Sequence, residues 1–68
     1  MNVYFLEAKG ISAFVGEATD RVRSSTAFTT RERAEGLVED FKTKCVESGR
    51  LSSRFPIHVR VIELEVVD

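Results

Sequence analysis

The sequence predicts an α+β fold of ββαβ order, a three-stranded antiparallel sheet in the order 2-1-3 with one amphipathic helix packed on one face. Three observations carry that expectation. "VYFLEAK" near the N-terminus and "IHVRVIELEVVD" at the C-terminus are rich in branched and aromatic residues, as strands are. Between them, "FTTRERAEGLVEDFKTKCVESG" sets Ala34, Leu37, Val38, Phe41 and Cys45 at the i, i+3, i+4, i+7 spacing of a single helical stripe. Turn residues in "GEATDR" leave room for a second strand before the helix. If the helix carries the chain back across an early hairpin, the last strand lies antiparallel beside the first.

Taken in order, the first strand admits two parses. Either it continues past a kink at Gly10 and turns around Ala18 to Asp20, or Gly10 is itself the turn and strand two covers Ser12 to Thr19. The first parse is preferred. The helix should run about 17 residues, or roughly 25 Å. Thr29 with Glu32 has capping-box spacing, and Thr30 competes for the cap. Gly49 can adopt the left-handed conformation that ends a helix, and Lys42 and Lys44 sit where the dipole favours cations. Asp40 and Lys44 form an i, i+4 pair. "RLSSRFP" is a loop whose Pro56 holds Phe55 extended before the final strand.

The first and last strands are apolar on two sides. Val3 and Phe5 alternate with Tyr4 and Leu6, while Ile57, Val59 and Val61 fall opposite Ile62, Leu64 and Val66. A β-bulge near Val61 and Ile62 would return the last strand to one phase, without removing the two-sidedness of the first. One helix covers one face of such a sheet. Each large apolar side chain left in water forgoes about 1.5–3 kcal/mol of burial, so a partner is expected on the uncovered face. The expected patch is Tyr4, Leu6, Ile62 and Leu64, with Val3, Phe5, Val59 and Val61 exchanging places with them if the phase is opposite.

Composition narrows the function classes. The 68 residues should form one domain, 1–68, and are 43% hydrophobic and 31% charged. A domain of this size buries only about 60% of its unfolded surface, so its core is small. A formal net charge of −1 does not favour nucleic acid or an anionic membrane. The lone Cys45 excludes an internal disulfide framework and suits a cytoplasmic protein. "MNVYFLEAKG" lacks the pattern of a signal peptide, and no apolar run approaches membrane-span length. With His58 the one histidine, no multi-histidine metal site or histidine triad can be assembled, and no cofactor motif is present. Cys45 belongs to the helix's apolar stripe and reads as a small buried hydrophobe rather than a nucleophile. "GISAFVG" lacks the ending of a phosphate-binding loop. The protein is expected not to be an enzyme.

Charge is more informative. Arg21, Arg23, Lys42, Lys44, Arg50 and Arg54 gather at one end of the expected topology, and Glu32, Glu35, Glu63, Glu65 and Asp68 at the other. Either end could dock on a charged partner, the acidic one through Glu32, Glu35, Glu63 and Glu65. The pattern "VYFLEA", "FTTRERAEGLVEDF", "VRVIELEVVD" resembles small ββαβ proteins of bacteriophages and mobile elements. That resemblance implies a non-enzymatic interaction module in the host cytoplasm, such as an anti-CRISPR-like inhibitor that blocks a defence complex by steric occlusion. The leading expectation is therefore a protein target, or a homodimer with a structural or accessory role. The alternative is a small nucleic-acid-binding regulator using Arg21, Arg23, Arg50 and Arg54, with Ser24, Ser25 and Ser53 beside them.

Overall fold

The branched and aromatic runs at the two ends of the chain do become strands, and they pair with each other. The computed structural model describes residues 1–14 and 18–67. Its elements follow the order β1 (Asn2–Ile11), β2 (Thr19–Arg23), α1 (Arg31–Glu35), α2 (Val38–Glu47) and β3 (His58–Glu65). The sheet is antiparallel throughout, in the order β2-β1-β3. The fold is therefore α+β with ββαβ order, as the sequence predicts. Asn2 to Lys9 pairs residue by residue with Glu65 to His58, so no bulge shifts the phase of β3.

The preferred parse of the hairpin holds in part. β1 passes Gly10, but by one residue only, and Asp20 belongs to β2 rather than to the turn. The Ser12 amide donates to the Ala18 carbonyl at 2.7 Å, closing the reversal earlier than the turn residues suggest. Part of the "GEATDR" turn signal, Gly16 and Glu17, lies outside the described residues. Past β2 the chain keeps covering the same edge of β1 without forming a regular strand. Leu6 N–H donates to Ser24 Oγ at 3.0 Å, and Phe28 exchanges backbone bonds of 2.9 and 2.8 Å with Tyr4. A central strand is thus satisfied on both edges over most of its length.

Helical geometry lapses once. The single helix of the sequence reading is two helices, broken at Gly36 and Leu37. Leu37 takes φ −110° and ψ 9°, and its N–H bonds back three residues to Ala34 rather than four. The cause is local: glycine is a poor helix former, and the tighter bond ends the first helix. Consequently Leu37 leaves the buried stripe and is 41% exposed, whereas Ala34 and Cys45 stay buried. Thr30, not Thr29, is the cap of α1, its Oγ1 accepting from Arg33 N–H at 3.2 Å. Gly49 closes α2 at φ +77°, a conformation open to glycine at little cost.

The helices lie against β1 and β3 on the face that carries Leu6, Ala8 and Gly10. Ala8, Cys45 and Leu51 form the buried centre, with Val22, Phe41, Ile57 and Val59 packed around it. Small residues on the central strand let the overlying chain approach. A Cβ at Gly10 would stand 3.3 Å from Ile57 Cγ1, tighter than ordinary contact.

Candidate functional site

Because strand side chains alternate, the residues of β1 that flank Leu6 and Ala8 point away from the helices. The register then lays out the uncovered face in four rows across the strands, beyond a flanking pair of Ile11 and Thr19 at the hairpin end. The first is His58, Lys9 and Arg21; the second is Arg60, Glu7 and Arg23; the third is Ile62 and Phe5; the fourth is Leu64 and Val3. Neighbours within a row are about 5 Å apart and successive rows about 7 Å. Half of the face is ionic and half is apolar.

Glu7 organises the ionic half. Only 9% exposed, its Oε1 accepts from Arg60 Nη2 at 2.9 Å and Arg60 Nε at 3.1 Å, while Arg23 Nη2 lies 4.0 Å from Oε2. Arg23 also lies over the Phe5 ring, 5.9 Å from its centroid, and so joins the two halves. Lys9, Arg21, Arg23 and Arg60 against Glu7 leave the face a formal +3, in a chain whose total is −1. The rest of the molecule therefore carries −4. Charge is segregated by face rather than only by end.

Several expected site residues move accordingly. Tyr4 and Leu6 do not share a face with Ile62 and Leu64: Leu6 is 1% exposed under the helices, and Tyr4 sits beside it with Arg31 5.8 Å over its ring. Val59 and Val61 share that inner face. The apolar side chains on the open face are Val3, Phe5 and Ile62, each half-buried, and Leu64, 41% exposed, two of them from the first-named set and two from the exchange set. A sequence signal for this existed. Glu7 and Lys9 share the parity of Val3 and Phe5, and charged residues mark the solvent side of a strand.

The expected basic cluster divides between two faces. Arg21 and Arg23 lie on the open face, but Arg50 pairs with Asp20 on the helix side at 3.8 Å and Arg54 is exposed on the loop before β3. Ser24 spends its hydroxyl on the backbone of Leu6 and Thr26, while Ser25 and Ser53 are exposed. Lys9, His58 and Arg60, which the sequence reading did not place in the cluster, complete it. At the acidic end Arg31 intervenes, 3.9 Å from Glu35 and 3.8 Å from Glu63, and Asn2 Nδ2 also donates to Glu63. Glu32 and Glu65 are exposed, and Asp68 lies outside the described residues.

The helix side holds a groove of about 470 Å³, lined in part by Leu6, Val22, Phe28, Phe41 and Cys45. Burial raises the Cys45 thiol above its ordinary pKa, opposed by the charge of Arg50. Such a thiol stays protonated at neutral pH and is a poor nucleophile. Among the described residues, no group of three or more His, Cys, Asp and Glu could hold a metal ion. None of their helices is long and apolar enough to cross a membrane. No family model matches the chain, and neither the curated proteins nor the solved structures contain a match.

Proposed function

We propose that this chain is a non-enzymatic protein-docking module whose open sheet face is its binding surface. One observation supports the reading above the others: Val3, Phe5, Ile62 and Leu64 form a contiguous apolar patch across the β1–β3 pair, on the face that the helices leave bare. Contiguity matters because single exposed apolar residues are normal on monomers. The occupant that fits is a protein surface with apolar side chains beside carboxylates, since the patch borders rows of net positive charge. Steric occlusion of a larger complex, the role implied by the resemblance to phage inhibitors, requires no chemistry beyond such a face.

A second copy fits the same face poorly. Stacking two such faces opposes +3 to +3. The test is Ile62→Lys combined with Leu64→Lys, with far-UV circular dichroism to verify the fold. Proteins retained from cell lysate by the immobilised wild-type chain should be lost by the variant, while light scattering shows both as monomers. Unchanged retention, or a wild-type dimer that the variant dissociates, would overturn the reading.

A further inference from the structure

The ionic half of the open face has a chemistry of its own. In its first row His58, Lys9 and Arg21 stand on three adjacent strands. Like charges directly opposite one another destabilise a sheet. Glu7 offsets Arg60 and Arg23 in the next row, but Lys9 and Arg21 have no acidic partner among the described residues. An anion laid over this row would relieve the repulsion. The surface there is a small depression of about 160 Å³ lined by Glu7, Lys9, Arg21, His58 and Arg60.

We infer that the His58, Lys9 and Arg21 row, backed by Arg60, is an oxyanion site for the carboxylates of an acidic protein segment. The inference rests on the docking reading and names the partner's chemistry. Three features favour carboxylates over a nucleic-acid backbone. A nucleic-acid strand carries charge at every nucleotide, so one lying along the strands would set phosphates over Ile62, Leu64 and Val3, where no cation answers them. Glu7 stands in the middle of the second row and repels a continuous polyanion. The face's rings are Phe5, with Arg23 already lying over it, and the small imidazole of His58, which leaves little platform for base stacking. A segment with carboxylates at one end and apolar side chains at the other matches both halves at once.

The test is an NMR titration of the ¹⁵N-labelled chain with a glutamate-rich hexapeptide and, separately, with oligo(dT), each at about 0.05 M and about 0.3 M salt. The peptide should shift the amides of Lys9, Arg21, His58 and Arg60. Its affinity should fall with salt, and roughly five- to tenfold in the Lys9→Ser, Arg21→Ser double variant, as for two exposed ion pairs. Absence of shifts there, indifference to the double variant, or tighter binding of oligo(dT) would overturn the proposal. Partner capture separates the two readings. Retention lost with Ile62→Lys but kept with Lys9→Ser, Arg21→Ser would remove the anion site and leave the docking face standing; retention kept with both would remove both.

Discussion

Replacing Glu7 by Gln keeps the shape of the side chain and deletes its charge, which makes it a direct test of how the open face is held together. Glu7 is the one carboxylate in the two ionic rows, and it meets Arg60 at 2.9 Å and Arg23 at 4.0 Å. Its own side chain is 11% exposed, but those of Arg60 and Arg23 are 67% and 54% exposed, so solvent screens both pairs. The range for exposed pairs applies, about 0.2–1 kcal/mol each. Unrelieved repulsion among Lys9, Arg21, Arg23 and Arg60 adds to it. A total loss of about 1–2 kcal/mol at low salt follows, against a stability of roughly 3–10 kcal/mol for a chain of this length. That corresponds to a fall in Tm of roughly 5–15 °C. Thermal melts followed by circular dichroism at about 0.02 M and about 0.5 M salt measure it, and the deficit should shrink at high salt as the Debye length contracts. A Glu7→Gln protein as stable as wild type at low salt, or one whose deficit ignores salt, would refute this account of the ionic rows.

Two further outcomes follow from the fold. Gly49→Ala should cost about 1 kcal/mol in urea denaturation with an unchanged m-value, because φ is +77° there and no neighbouring atom within 4 Å obstructs a Cβ. Equal stability would show that α2 can end without the left-handed turn. The raised pKa of Cys45 means that the folded state holds its proton more tightly than the unfolded state. Its contribution is fully present below the unfolded value of about 8.5 and is lost as pH rises through the folded value. Wild type should therefore lose more stability than Cys45→Ala between pH about 7 and about 10; parallel losses in the two proteins would contradict the burial of the thiol.

Much of the architecture was legible because it depends on local patterns. Alternating branched residues mark β1 and β3, the stripe containing Ala34, Phe41 and Cys45 marks the helical region, and Gly49 marks its end. The antiparallel return of β3 beside β1 follows from the order of these elements. The break at Leu37 was not legible, since its neighbours continue the helical spacing and the lapse is one hydrogen bond wide. The turn of the early hairpin was read too late, because Asp20 looks like a turn residue by type yet pairs with Gly10 in the sheet.

By itself the sequence determined the fold class, the strand order and the presence of more apolar strand surface than the helical region can cover. Only the tertiary structure decided which parity of β3 faces the helices, because Val61 and Ile62 are equally apolar and each parity of that strand also carries charge; in β1 the charges of Glu7 and Lys9 already mark the side of Val3 and Phe5 as the solvent side. The choice is made where Cys45 and Leu51 close over Ala8, with Ile57 against Gly10, contacts between residues far apart in the chain that no local window contains. Once that side is taken, the unbroken register carries Phe5, Ile62, Glu7 and Arg60 to the opposite face together.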